Sequence, residues 1–240
     1  QLQIQEHGQT MTRLCSICAR GSSKGVINKN LREIAGKPLI THTIEHAIES
    51  KCFDYISVSS DSKEILDISI ESGANFAIER PKELATDTSA KLPAIQHCAS
   101  ATEGLTNKAF DIFVDLDATS PLRLPQDIVE SINKLENSDS LNLITGSPAR
   151  RSPYFNLVEL NKNGFVIRSK ELEQSIIRRQ DSPQCYDMNA SIYVWKRENF
   201  FNHQKVLLDN TILYEMPEER SIDIDTELDF KLVKFLLENK

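Results

Sequence analysis

Arg20, Lys24 and Lys29 gather near the start of the chain, interleaved with Gly21, Ser22, Ser23 and Gly25 and followed by Asn30. Small residues let a backbone curl and aim its N–H groups at an anion, and Arg and Lys add the counter-charge. The stretch therefore suits a triphosphate. It is neither the G-x-x-x-x-G-K-[ST] of a P-loop nor the G-x-G-x-x-G of a dinucleotide site. A basic surface loop without a ligand has the same composition, so two readings stand. Near the other end, Asp223 and Asp225 are offset by two. In extended backbone their carboxylates face one way. Such a pair calls for a cation, and Mg²⁺ takes one or two carboxylates together with phosphate oxygens and water. The alternative is that the pair only caps a final helix at Thr226.

These residues need a scaffold. Leu14 to Cys18 reads as a buried strand, which puts the basic loop at a strand's C-terminal end, where open α/β sheets bind ligands. Pro38 fits the first turn of a helix through Ser50. Tyr55 to Ser59 is an expected strand, and Ser62 to Ser72 a helix closed by Gly73. A short strand over Asn75 to Ile78 and a helix from Thr88 to about Glu103, capped by Thr88 or Ser89, follow. Asp111 to Asp117 is an apolar strand, Pro125 to Asn137 a helix and Leu141 to Thr145 another strand. This βαβα order predicts an α/β fold of three layers with a mostly parallel sheet.

The pattern then breaks. Alternation across Tyr154 to Arg168, around Asn161-Lys162-Asn163-Gly164, is a hairpin signal. Glu171 to Gln184 is polar and carries Arg178 and Arg179. Alternation resumes over Met188 to Trp195. Residues 149–185 thus read as an excursion inserted in a single domain spanning 11–240. Thr226 and Asp229 fit the capping box of a last helix ending at Glu238.

Composition sets bounds. A chain of 240 residues with 40% hydrophobic and 26% charged residues can bury one large core. Its net charge of −7 argues against a nucleic-acid surface. An anionic substrate must then rely on local cations: Arg20, Lys24, Lys29 and Arg80. No apolar run reaches the ~20 residues of a membrane span. Residues 1–10 are polar and read as a leader or flexible extension, with Met11 a candidate start. Five cysteines without export features predict reduced thiols and a cytoplasmic location. Cys15 and Cys18 fall on opposite strand faces, so no redox or zinc role is expected. His42 and His46 lie four apart on a helix with no third ligand adjacent, and a helix-surface position is expected for both.

Five segments, in order, carry a resemblance. Ala19 to Asn30 is similar to A-R-x-x-S-K-G…K-N. Arg80-Pro81 with Glu83 to Thr88 is similar to R-P-x-x-L-A-x-D-T. Leu116 to Arg123 (LDATSPLR) resembles L-Q-P-T-S-P-L-R, Asn189 to Tyr193 resembles N-G-A-I-Y, and Ser221 to Asp229 carries D-I-D-T-x-x-D. Together they resemble the CMP-sialate synthetase (acylneuraminate cytidylyltransferase) family over about residues 13–238. The resemblance implies a Rossmann-like nucleotidyltransferase fold. It also implies attack by a sugar-acid hydroxyl on the α-phosphorus of CTP, and a homodimer in which the excursion completes the partner's site.

By that resemblance Arg20, Lys24 and Lys29 handle the triphosphate. Ala19, Arg20, Asn30 and Arg80 contact the nucleotide, with Asp87, Thr88 and Ser89 shaping the base and ribose pocket. Asp117, Thr119, Ser120, Arg179, Asn189 and Tyr193 serve the acceptor, Arg123 pairs structurally, and Asp223 and Asp225 hold Mg²⁺. Asp115 and Asp117 also mimic a D-x-D metal motif and rank second to that pair. Several departures bear on the acceptor. Asp117 and Ala118 replace Gln and Pro, so an acceptor-only group stands where an amide also donates. Asp187 stands where relatives often have Arg, and residues 151–155 lack a nearby lysine. These changes resemble the branch acting on legionaminic acid. They place Asp117 toward the sugar's amide- or hydroxyl-bearing end. The alternatives are CMP transfer to the eight-carbon 2-keto acid of lipopolysaccharide and a non-catalytic nucleotide-binding regulator.

Overall fold

Alternation along the first strand decides the layering. In β1 (Arg13–Cys18), Cys15 and Ile17 enter one apolar cluster while Leu14 and Cys18 enter another. A period of two puts these pairs on opposite faces, so both faces of the strand are buried. The computed structural model that shows this describes residues 11–22, 25–86, 89–172 and 178–239.

The remaining strands are β2 (Glu33–Ile34), β3 (Lys37–Pro38), β4 (Tyr55–Ser60), β5 (Phe76–Glu79), β6 (Ile112–Leu116), β7 (Asn142–Pro148), β8 (Val158–Leu160), β9 (Val166–Arg168), β10 (Tyr186–Lys196) and β11 (Ile212–Glu215). The helices are α1 (Leu39–Ser50), α2 (Lys63–Glu71), α3 (Lys91–Thr106), α4 (Pro125–Glu136), α5 (Arg197–Phe200) and α6 (Glu227–Glu238). A seven-stranded sheet has the order β11-β7-β10-β6-β1-β4-β5. Only β10 in it runs antiparallel to its neighbours, so the sheet is mostly parallel.

Residues of α1, α2 and α4, among them Ile40, Ile44, Ile65, Ile128 and Ile132, pack on the face carrying Cys15 and Ile17. Leu92, Ile95 and Ala99 of α3 and Phe200 of α5 pack on the face carrying Leu14. Each fully buried Ile or Leu adds about 1.5–3 kcal/mol of transfer energy, which fixes the three-layer order. A third cluster seats α6 through Phe230 and Val233 against Val26, Ile34, Leu39 and Leu122.

The route of the chain creates a crevice. It leaves β1 for β4 and β5 on one side, then returns through α3 to β6 on the other. The C-terminal ends of β1 and β6 therefore flank a topological switch point, where α/β sheets of this kind bind ligands.

Several sequence expectations shift. Helix α3 starts at Lys91, and its N-cap Ala90 makes no side-chain cap bond. Ser89, an expected cap, instead donates to the Glu83 carbonyl at 2.8 Å. His42 is buried, with Nε2 2.9 Å from the Ile34 carbonyl oxygen, because α1 is covered by neighbours nearly all round. Its expected surface position is thereby corrected. Strand β11 lies in a stretch with no sequence signal singled out, while β8 and β9 form the expected hairpin. No helix among the described residues is long and apolar enough to cross a membrane.

Candidate active site

The loop after β1 begins with Ala19, whose N–H donates to the Ser59 carbonyl at 3.0 Å. Gly21 N–H donates to Asp61 Oδ1 at 2.8 Å. Gly25 is needed for close approach: a Cβ there would sit 2.0 Å from the Asp225 carbonyl oxygen. The phosphate-type loop and the acidic segment thus meet backbone to backbone. Lys29 fastens the junction, since its Nζ donates to the Ile224 carbonyl and lies 3.9 Å from Asp225 Oδ1.

Ile224 explains how the two aspartates are aimed. Its side chain is fully buried in the cluster under α6, and its N–H donates to the Thr119 carbonyl at 3.0 Å. With the middle residue turned inward, Asp223 and Asp225 both reach the cleft. Neither caps the last helix. Thr226 Oγ1 accepts from Asp229 N–H at 3.2 Å, and Asp229 Oδ2 accepts from Thr226 N–H at 2.7 Å. That box is made by Thr226 and Asp229 alone, so the helix cap does not account for Asp223 and Asp225.

The cleft at the switch point has a volume of about 270 Å³. It brings together Ala19, Arg20, Lys29, Asn30, Arg80, Ser89, Asp117, Thr119, Asp223 and Asp225 from the residues the sequence nominates. Arg20 donates to the Thr86 carbonyl at 3.0 Å, bridging the β1 loop to the segment before α3. Buried Arg80 donates to Ser59 through Nε and Nη2 at 3.2 and 2.8 Å. Asn30 donates to the Arg20 carbonyl at 3.0 Å, and its own Oδ1 is buried with no hydrogen-bond partner among the described residues. Lys24, Asp87 and Thr88 lie outside the described residues.

Charge in the cleft is tightly arranged. Asp117 Oδ1 accepts from the Thr119 N–H at 3.0 Å and the Thr119 hydroxyl at 2.8 Å. Its Oδ2 accepts from Lys91 at 2.7 Å. Burial alone would raise the Asp117 pKa, but Lys91 and Thr119 hold it well below the usual carboxylate range. Lys91 also lies 3.0 Å from Asp115, which is wholly buried and whose pKa burial raises. One ammonium thus occupies the D-x-D pair. Asp223 is pushed up to about 6, by burial first and then by Asp117. An acid so placed gains from a proton or a cation.

Sequence reasoning missed Lys91. A lysine at the first position of a helix opposes the dipole and needs a carboxylate partner, but the sequence pattern starts this helix at Thr88, and the partners Asp115 and Asp117 are distant in the chain.

Other nominated residues stand elsewhere. Ser120 is buried behind the cleft, its hydroxyl without a partner among the described residues. Asn189 spends its amide inside the fold: Oδ1 accepts from Thr145 Oγ1 at 2.7 Å, and Nδ2 donates to Ser221 at 3.0 Å. It holds a register shift of β10 against β7, where Ala190 adopts φ 52°. Asn189 is therefore placed as a scaffold residue and not on the cleft wall. Tyr193 is buried, stacked on Trp195 at 5.6 Å, and backs Lys91, whose Nζ is 4.8 Å from its ring centroid. Arg179 sits exposed on the excursion and donates to the Ala149 carbonyl at 2.6 Å, outside the cleft of its own chain. Arg123 is wholly buried and braces the Asp117 carbonyl and Ser191, with burial lowering its pKa to about 10.

Residues 14–239 match the cytidylyltransferase family. The chain is 44% identical over 227 residues to the post-translational flagellin modification protein B of Campylobacter coli, covering 95% of each. It is 45% identical over 227 residues, again 95% of each, to the CMP-N,N'-diacetyllegionaminic acid synthase of Campylobacter jejuni. Among solved structures, a CMP:2-keto-3-deoxy-manno-octonic acid synthetase complexed with CTP matches with a TM-score of 0.67. That match has 17% identity and covers 94% of this chain and 98% of the other.

Proposed function

The chain belongs to the cytidylyltransferase family, and from that premise we propose that it transfers CMP from CTP to the anomeric hydroxyl of a nine-carbon 2-keto sugar acid of the legionaminic or sialic type. The carrying observation is the single cleft in which the β1-loop cations face Asp223 and Asp225 at the switch point. In the reaction the sugar oxygen bonds to the α-phosphorus. The bond to the β-phosphate bridging oxygen breaks, pyrophosphate leaves, and the hydroxyl proton passes to solvent. Catalysis of this kind is mainly positioning and charge neutralisation.

Arg20 and Lys29 suit the triphosphate, and Lys24 belongs to the same loop. Arg80 and Ser89 line the nucleotide end. The unpartnered Asn30 Oδ1 is a buried acceptor that an N–H of the nucleotide would satisfy. Thr119 and Asp117 form the wall toward the acceptor. The residues present fit a divalent cation: Asp223 is an acid raised by burial first and then by Asp117, and Asp225 lines the same cleft. Bound there, Mg²⁺ would supply neutralising charge to the phosphates.

The excursion supports a homodimer, since its hairpin leaves Leu160, Phe165 and Val166 exposed. Arg179 would then serve the partner's acceptor site. Five free cysteines fit a cytoplasmic location. The eight-carbon alternative has only the likeness of fold behind it. A regulator that binds without turnover would have no need of Lys29 and Asp223 set in one cleft.

Pyrophosphate release from CTP with a panel of eight- and nine-carbon sugar acids tests this reading. Turnover with legionaminic-type acids is expected. Turnover with the eight-carbon acid alone, or CTP binding without turnover, would replace it.

A further inference from the structure

Lys91 is held in an unusual place. It opens α3, where the helix dipole disfavours a cation. Two carboxylates offset this, with Asp115 at 3.0 Å and Asp117 at 2.7 Å, and the Tyr193 ring supports its other flank. Burial works to lower its pKa, but the carboxylates outweigh that and keep the ammonium charged. The side chain remains 31% exposed and lines the cleft.

The bonding capacity left over is informative. A carboxylate accepts at about four lone-pair positions and donates at none. Three positions of Asp117 are taken, by the Thr119 N–H, the Thr119 hydroxyl and Lys91. An ammonium has three N–H donors and no acceptor; one serves Asp117 and a second faces Asp115 at 3.0 Å, which leaves one. The pair is neutral as a unit and faces the cleft with one acceptor and one donor side by side.

We propose that Lys91 is a specificity residue: with Asp117 it forms a donor–acceptor edge that reads an uncharged hydroxyl, or an adjacent hydroxyl and amide N–H, of the acceptor sugar acid. A hydroxyl bound there accepts from Lys91 and donates to Asp117 at once. The acceptor's carboxylate is disfavoured at this edge, because the adjoining Asp117 and Asp115 repel it. The inference rests on the CMP-transfer reading above and names which part of the acceptor this wall contacts.

The test compares a turned-over sugar acid with analogues that each replace one hydroxyl or acylamino group by hydrogen. In the unaltered chain, one analogue should lose about 10-fold or more in kcat/KM, as when a site built for a hydrogen bond meets a substrate lacking it. Lys91→Met should lose about 10-fold on the parent acid and nothing further on that one analogue. The KM for CTP should stay near the unaltered value. Lys91→Met/Asp117→Gln, whose amide carries both functions, should recover most of the loss. A Lys91→Met defect equal on all acceptors, or one residing in the KM for CTP, would make Lys91 a mere counter-charge and overturn the inference. If the variants fail to fold, the unaltered chain still decides: no sensitive single position among the analogues overturns it. Absence of CMP transfer to every acid would sink the functional reading instead.

Discussion

The hydroxyl of Thr119 touches the carboxylate of Asp223 across 104 residues of sequence. The same hydroxyl lies 2.8 Å from Asp117 Oδ1. One hydroxyl proton cannot serve both oxygens. With that proton on the Asp117 side, the Asp223 contact is satisfied when Asp223 carries a proton of its own. This agrees with a carboxyl pushed up to about 6 by burial and by Asp117. A divalent cation at Asp223 would relieve the same conflict.

Stability should therefore depend on Asp223 in a defined window. Its folded pKa of about 6 lies above the ordinary aspartate value. The folded chain then binds more protons than the unfolded one between about pH 4 and 6. Asp223 favours folding below that window, and its contribution is lost as pH rises through 6. Asp223→Asn should thus be more stable than the unaltered chain at pH 7.5 in EDTA, by on the order of 2 kcal/mol. The gap should close near pH 4, and the variant should be inactive. Thermal melts across pH 4–8 check this; a gap that does not change with pH would refute the coupling.

Gly25→Ala should separate the two halves of the site without unfolding the chain. The added Cβ would meet the Asp225 carbonyl oxygen at 2.0 Å, and backbone cannot yield as a side-chain tip can. The loop must shift away from the acidic segment. A loss of at least ~10-fold in kcat/KM for CTP is expected from such a displacement of about 1 Å, with a melting temperature close to the unaltered value. Normal CTP kinetics would show that the junction does not position the phosphates.

Arg123→Met should cost stability more than chemistry. The guanidinium is fully buried and donates to the Asp117 carbonyl and, at 3.0 Å, to Ser191 Oγ. Removing it takes the guanidinium from the Ser191 hydroxyl and leaves the Asp117 carbonyl with only the longer contacts from the Thr43 hydroxyl and the Ser120 N–H, at 3.3 and 3.4 Å, a loss of about 1.5–3 kcal/mol for hydrogen bonds to a charged group. Urea denaturation reads it directly. A change under about 1 kcal/mol would mean that water replaces the guanidinium.

Much of this was legible in the chain, for physical reasons. Cys15 and Cys18, on opposite faces of β1, follow the period of a strand buried on both sides. Thr226 and Asp229 announce the start of α6 because the box needs those two residues at that spacing. The β1 loop could be located because a strand's C-terminal end is fixed by its apolar run. Lys91 was not legible, since its partners lie in β6 and at its end and come near only when α3 packs on the sheet. The bonding of Asn189 was hidden for a related reason. Its amide is consumed by Thr145 and Ser221, distant residues that no local pattern reveals. His42 went astray because α1 is covered by α2, α4 and the β2–β3 turn, so its polar positions are buried too.

The excursion supplies the last prediction. Strands β8 and β9 have three residues each and, among the described residues, pair only with one another. A lone two-stranded hairpin is marginal in water, yet this one turns Leu160, Phe165 and Val166 outward at 66–68% exposure. Covering those side chains with the same surface of a second copy would stabilise both hairpins, and a two-fold dimer does so with one self-complementary patch. The unaltered chain should therefore sediment as a dimer at micromolar concentration. Phe165→Glu/Val166→Glu should sediment as a monomer that keeps its seven-stranded core. If Arg179 serves the partner's acceptor site, the monomer should lose CMP transfer while still binding CTP, because the cleft residues of its own chain are untouched. A monomeric unaltered chain would refute the dimer. A monomeric variant with full turnover would leave the dimer standing and remove Arg179 from the acceptor site.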